Sequence, residues 1–346
     1  MKGSEQKASR QEGYKNPVTA IATGIKDLFR KPVVQVHLSD ADRLDGKKVL
    51  LTGASSGLGF ATAVELARRG AHVIMAVRSG IPGKGEEVRK KSGSVKVDMI
   101  RLDLADLDSL EDFVKELKER FGSVDLFICN AAVVTRQSRR VQHGLDEMFA
   151  VNYFAKFILA SLCMEAGCLD SRDNGIPRIV FVASESHRNA ARFDWEGFGN
   201  YTPYGIGQSV AMYGYYKLLL ITMANELSRR INSGERNTVS VFTLCPGPVN
   251  SNIAREAPVI FQPLLKLVFG IFFRSPRKAC RPVVYLAASP ELEGRTQEYL
   301  FLMEPKPMDG KAVDPENGRR LWELSNQLRY EIWPADQLPH FSNSPK

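Results

Sequence analysis

The chain has 346 residues, enough for one large core or two modest ones, with 44% hydrophobic and 25% charged residues and neither repeat nor low-complexity tract. Five scattered cysteines (Cys129, Cys163, Cys168, Cys245, Cys280) and five unclustered histidines form no C-x-x-C, so no disulfide framework and no metal are expected, and a reducing, cytoplasmic setting is. The net charge is +8; residues 1–31 carry seven Lys/Arg against Glu5, Glu12 and Asp27, and with no nucleic-acid motif beside them this points to anionic lipid or a phosphorylated cofactor rather than to nucleic acid.

The N-terminus lacks the apolar core of a signal peptide. "NPVTAIATGIKDLFRK" places Val18, Ile21, Ala22, Ile25, Leu28 and Phe29 on one helical face beside Lys26, Arg30 and Lys31. That suits a basic helix in peripheral contact with a membrane, or a helix docked on the protein's own body. From Gly46 onward strands and helices alternate. "KKVLLTG" reads as a buried strand ending in a glycine turn, and "LGFATAVELARRG" as a helix closed by Gly70. "AHVIMAV", a short basic helix near "GEEVRKK" and "VKVDMIRLD" follow. "DSLEDFVKELKERFG" repeats Leu110, Phe113, Val114, Leu117 and Phe121 at helical spacing. "VDLFIC" is the fourth strand, "DEMFAVNYFAKFILASL" a long helix and "PRIVFVAS" the fifth strand. A helix through Tyr213, a sixth strand "TVSVFTLCPG", a helical "RKACRPVVYLAAS" and a last strand in "QEYLFL" come next. An amphipathic helix, "GRRLWELSNQL", closes the series. Buried apolar strands alternating with helices specify an α/β fold, a doubly wound parallel sheet in a single domain. The expected domain spans 44–303, with a basic extension at 1–43 and a tail at 304–346. Its ligand crevice lies at the carboxyl ends of the strands.

The first strand–helix turn is "TGASSGLG". Gly53, Gly57 and Gly59 permit a tight turn and close backbone approach, and the helix that follows offers its N-terminus to a pyrophosphate, so Gly53, Ser55, Ser56, Gly57, Leu58 and Gly59 are candidate cofactor contacts. The second strand ends at Arg78, with no acid until Glu86. A guanidinium there suits a 2′-phosphate, hence NADP(H) over NAD(H). Asp103 ends the third strand, placed to bind the adenine amine or to cap the next turn. In "CNAA", Asn130 and Ala131 would let the chain pass under the adenosine ribose, while Cys129 reads as a small buried hydrophobe. Ser184 ends the fifth strand, and Tyr213 and Lys217 share one helix face. An ammonium near a phenol favours the phenolate, and a hydride-transfer site needs such a group to exchange a proton with the carbonyl oxygen.

In this order "TGASSGLG", "CNAA", "VNYF", "VASESH", "YGYYK" and "CPGPVNS" resemble the short-chain dehydrogenase/reductase family over residues 44 to 300. The resemblance implies that Tyr213 is the general acid/base, that Lys217 lowers its pKa and binds the nicotinamide ribose, and that Ser184 orients the substrate carbonyl. It implies that Asn152 holds a water linking Lys217 to solvent, and that Pro246, Val249 and Ser251 lie over the nicotinamide. "SESHR", the long gap from Ser184 to Tyr213 and the "RRLWELS" tail are similar to the retinol dehydrogenase-like branch, which includes relatives of the WW-domain oxidoreductase and of light-dependent protochlorophyllide reductase. Members of that group often reduce bulky apolar aldehydes or ketones with NADPH, and many associate with membranes. The chain departs from the pattern at Ala132, at Ala155–Lys156 where Gly-His is common, and at Tyr216, where a small residue usually precedes the lysine.

The expected activity is therefore an NADP(H)-dependent exchange of hydride with a small lipophilic carbonyl or alcohol substrate. A C=C reductase of the protochlorophyllide type and a weakly catalytic NADP(H)-binding scaffold are the alternatives. Two lid segments are expected near 187–210 and 251–275. The first supplies Phe193, Trp195, Phe198, Tyr201 and Tyr204, and the second contains the apolar run 258–273, too short and interrupted to span a bilayer. Such aromatic walls fit an apolar ligand or a homodimer surface.

Overall fold

A computed structural model describes residues 35–169, 175–234, 238–248 and 275–333. The amphipathic segment 16–31, the apolar run 258–273, Val249 and Ser251 lie outside the described residues.

Eight strands form one sheet in the order β3-β2-β1-β4-β5-β6-β7-β8. They are β1 (Lys48–Thr52), β2 (His72–Val77), β3 (Val97–Arg101), β4 (Leu126–Cys129), β5 (Arg178–Val182), β6 (Ser240–Cys245), β7 (Tyr299–Phe301) and β8 (Glu304–Pro305). All pairings are parallel except β7 with β8. The chain reverses its winding between β1 and β4, so a crevice opens where the two halves diverge. Register aligns the strand ends there: Leu51 pairs with Ile128, Cys129 with Phe181, Val182 with Leu244.

The central strands are almost wholly buried because helices cover both faces, and alternate residues feed two separate cores. Leu50, Ile74, Phe127, Cys129, Ile179 and Phe181 face one core, with α3 (Leu110–Phe121), α4 (Glu147–Glu165) and α5 (Ile206–Ile231). Val49, Leu51, Val73, Met75, Ile128 and Val180 face the other, with α1 (Gly57–Arg68), α2 (Gly83–Ser92) and α7 (Arg281–Ala288). The predicted helix "RKACRPVVYLAAS" is split into α6 (Pro276–Ala279) and α7, since Pro282 has no amide to continue the ladder. Gly70 and Gly122 carry positive φ just past α1 and α3, as helix-terminating glycines do.

The long predicted helix is present as α4, capped by the Asp146 side chain on the Met148 and Phe149 amides. Periodicity did not foretell its one irregularity, a π turn over Ala150–Phe154. By length and composition α4 alone among the described helices could cross a membrane, yet most of it is buried in this fold.

Two further helices follow among the described residues, α8 (Gly310–Val313) and α9 (Pro315–Ile332). Helix α9 returns to cover α4. Trp322 stands edge-on to Phe157 at 5.0 Å, Tyr153 Oη meets Ser325 Oγ at 2.6 Å, and Arg329 forks onto Glu165 at 2.8 and 3.1 Å. At the other end Val36 N donates to the Met303 carbonyl, and Arg69 donates to the Ser39 and Asp42 carbonyls. The unit that packs together thus reaches past residues 44 and 303 on both sides. Tyr153→Phe removes one buried hydrogen bond while Ser325 keeps its bond to the Leu321 carbonyl. A loss of about 1 kcal/mol in denaturant unfolding is expected, with the fold intact.

Candidate active site

The glycine turn leaves the end of β1 and enters α1. Gly53 and Gly57 have φ of +68° and +54°. A Cβ on Gly53 would lie 2.8 Å from Ala131 Cα, and one on Gly59 would run into the Gly53 carbonyl and the Asn130 amide. The turn and the end of β4 are therefore in backbone contact. Asn130 is the stitch: its Nδ2 donates to the Thr52 carbonyl (2.9 Å) and the Gly53 carbonyl (3.2 Å), while Thr52 Oγ1 accepts from the amides of Asn130 and Ala131. The Asn130 side chain is thus spent on shaping the turn. Ser56 holds the N-cap position, is exposed, and its hydroxyl caps no amide, so it and the first-turn amides are available to a phosphate. Leu58 points into the core and can offer only its backbone. The turn accordingly fits a dinucleotide pyrophosphate.

Arg78 is exposed one residue beyond β2, and Glu86 is engaged with Arg89 on α2. Of the two readings of Asp103, the structure shows the turn cap: Oδ1 accepts from the Ala105 amide at 3.0 Å. Pro246 is buried directly after β6.

The second group gathers at the ends of β5 and β6. Ser184 follows β5 and opens a 3-10 turn, Glu185–Asn189, with its Oγ accepting from Ser186 N (3.3 Å) and Ser186 Oγ (2.9 Å). Helix α5 lies hard against this turn, since a Cβ on Gly214 would sit 2.6 Å from the Ser186 carbonyl. Tyr213, the residue before Gly214, is thereby brought beside Ser184. Lys217, buried one turn on, donates to the Val182 carbonyl at 2.8 Å and lies 5.4 Å from the Tyr213 ring centre. Burial raises the Tyr213 phenol, the Cys245 thiol adds to this, and the Ser184 bond works the other way. Burial also lowers Lys217 well below an ordinary lysine, and Lys156 pushes it further. Burial is the largest influence on both groups, and Lys217 is fully buried while Tyr213 keeps part of its surface exposed.

Asn152 sits in the π turn, fully buried. Its Oδ1 accepts from Val133 N (2.9 Å) and its Nδ2 donates to the Val133 carbonyl (2.8 Å). Both ends of the amide are thus taken by the backbone of one residue, Val133.

Of the three tyrosines in "YGYYK", only Tyr213 reaches Ser184. Tyr215 Oη bonds the backbone of Asp194, and Tyr216 packs edge-on to Phe149 at 5.8 Å. The aromatic wall expected from 192–204 is largely turned inward. Phe193 is buried, Phe198 packs on Phe149 and Tyr153, and Tyr204 is buried with its hydroxyl on Thr135 and both Asp146 oxygens. Its apolar surface is claimed by the core before a ligand can use it.

Sequence reading missed the groups that hold this site. Thr52, Val133 and Val182 carry no pattern beyond their place at or near strand ends. Glu185 accepts from Tyr299 Oη (2.6 Å), Lys306 Nζ (2.6 Å) and Arg188 Nε (3.1 Å); burial opposes its charge, but these partners keep it below the usual carboxylate range. His187 Nδ1 donates to the Ser184 carbonyl at 2.7 Å, and its Nε2 accepts from the Asp309 amide at 3.4 Å, which fixes the neutral tautomer. Burial takes its pKa down to about 4. The quoted "SESH" holds both residues, but nothing local announces their distant partners.

A family profile described as short chain dehydrogenase matches residues 47–202. The chain is 33% identical over 303 residues to mouse retinol dehydrogenase 14, covering 84% of this chain and 87% of that protein. It is 31% identical over 301 residues to mouse polyprenol dehydrogenase, covering 85% of each. An uncharacterized Mycobacterium paratuberculosis protein of known crystal structure superposes with a TM-score of 0.63 at 26% identity, over 85% of this chain and 97% of that one.

Because His187 is held neutral, the unfolded chain takes up its proton near pH 6.5 and the folded chain only near 4. The stabilisation is complete above pH 6.5 and is lost as the pH falls through 4, amounting to roughly 3 kcal/mol. Chemical unfolding from pH 7 to pH 4 is expected to show this component in the parent protein and not in His187→Gln.

Proposed function

We propose that this chain, which belongs to the short-chain dehydrogenase/reductase family, exchanges hydride between NADP(H) and the carbonyl or alcohol of a bulky lipophilic molecule. The observation that carries this reading is the grouping of Ser184, Tyr213 and the buried Lys217 at the end of β5, two strands from the glycine turn at the end of β1.

A nicotinamide cofactor seated on that turn would supply or accept the hydride. Its pyrophosphate would lie on residues Gly53, Ser55, Ser56, Gly57, Leu58 and Gly59, with Asp103, Asn130 and Ala131 along the adenosine and Pro246, Val249 and Ser251 beyond. Arg78 would pair with the 2′-phosphate. Its exposure, with no acid free nearby, favours the phosphorylated cofactor. Tyr213 would give its proton to the carbonyl oxygen in reduction and take it back in oxidation, and Ser184 would hold that oxygen by a hydrogen bond. Lys217 would set the electrostatics beneath the phenol, and Asn152 would support the proton path through its turn.

The lipophilic substrate rests on α5. Ile206 and Val210 are 70% and 63% exposed, and they lie on the helix face that carries Tyr213 and Lys217, at spacings of four, three and four residues. An apolar ridge leading to the acid/base pair suits an apolar ligand. The relatives named retinol dehydrogenase and polyprenol dehydrogenase support the same class. Peripheral contact of residues 16–31 with a membrane surface would place the protein where such substrates dissolve.

Tyr213→Phe is expected to cut NADPH-dependent turnover of aldehydes by about 10²- to 10⁴-fold without weakening NADPH binding. Undiminished turnover in that variant overturns the mechanism. Arg78→Ala is expected to raise the NADPH KM roughly tenfold and leave that for NADH unchanged; equal use of the two cofactors in both proteins refutes the assignment of NADP(H).

A further inference from the structure

Lys156 lies on α4, one turn beyond Asn152, at 1% exposure, and among the described residues its Nζ has no hydrogen-bond partner. An amine buried in this way opposes folding, so the position is costly to hold without a use for it. Among the described residues no carboxylate compensates it. The groups that act on it and on its neighbour are the Cys129 thiol at the end of β4 and, through α5, Lys217, on which the Cys245 thiol of β6 also acts. Burial pushes the Cys129 thiol up to about 12, so it stays neutral. The charged groups that α3 and α9 bring to α4 sit at its far end: Lys118 on the Gly167 carbonyl and Arg329 on Glu165. Cys129, the group acting on Lys156, pairs in register with Phe181, and Lys217 Nζ bonds the carbonyl of the next residue, Val182, so the two buried amines enter the core at neighbouring strand ends; amines so placed in a dry site do not both hold a proton.

We propose that Lys156 and Lys217 form a buried amine pair that carries one positive charge between them, and that Lys156 is a positioning residue which decides, through Lys217, how much of that charge stands beside Tyr213. The inference rests on the proposed role of Tyr213 and Lys217 and gives a role to Lys156, which stands where a histidine is common in the family's pattern. The charge on Lys217 favours the Tyr213 phenolate, and the charge on Lys156 draws it away. Lys156 has its pKa lowered to about 8 by burial, so it competes for the proton across the neutral range.

The test uses the full chain and two variants, Lys156→Met and Lys156→Gln, the second in case the first misfolds. With the competitor removed, Lys217 holds the charge alone, and the acid-side inflection in the pH profile of kcat/KM for alcohol oxidation moves down by about one unit in both variants. A rate loss that is equal at every pH, or an inflection that stays in place in either folded variant, overturns the proposal. A second readout needs no turnover. The folded chain sheds the Lys156 proton near pH 8 and the unfolded chain near 10.5, so the parent protein gains thermal stability between these values, and Lys156→Met lacks that gain. Parallel stability curves for the two proteins also overturn it. Absence of any Tyr213-dependent turnover, with the stability difference still present, would instead count against the functional reading alone.

Discussion

The hydrogen bond from Lys217 Nζ to the Val182 carbonyl is the contact on which the placing of α5, and with it the proposed acid/base pair, depends. Val182 ends β5, which is paired on both sides by β4 and β6, so its carbonyl is a rigid anchor. An amine taken out of water must find such an acceptor, and this one fixes the axial position of α5 against the sheet. With Lys217 placed, Tyr213 lies one turn back along the helix and Ser184 two residues on from the carbonyl. The absence of a side chain at Gly214 lets the helix close onto the Ser186 backbone and completes the contact.

The cofactor side is set by the same sheet. Asn130 sews the glycine turn to the end of β4, and β4 is the strand between β1 and β5. The glycine turn and the Tyr213–Ser184 group are thus held apart by strand spacing rather than by loops. The π turn at Asn152 extends this frame on the α4 side, because its side chain grips the Val133 peptide just past the end of β4.

Around this frame the polar groups work as clamps. Glu185 and His187 fasten the turn after Ser184 to Tyr299, Lys306 and Asp309, near the end of the chain. Asp146 and Thr135 hold Tyr204, and Tyr215 holds Asp194, so the segment before α5 is drawn onto the body. Ile206 and Val210 remain outside those clamps, and their side chains stay exposed.

Much of this was legible in the residues. Apolar runs such as "KKVLLTG" and "PRIVFV" have no face to spare for water, so a sheet covered on both sides follows from them. The glycines of "TGASSGLG" mark a turn that the positive φ at Gly53 and Gly57 bears out. Helical spacing alone put Tyr213 and Lys217 together and sent Tyr215 and Tyr216 elsewhere. Other features depended on partners far along the chain: Asn130 bonds a carbonyl 78 residues away, His187 an amide 122 residues away, and Tyr204 is buried by Asp146 at a distance of 58. Periodicity is local, so it decides which face a residue occupies. Whether a polar group on that face meets a partner, water or another charge is decided only when distant strands and helices close over it, and the protonation of Lys156, Lys217 and Tyr213 is set by that closure.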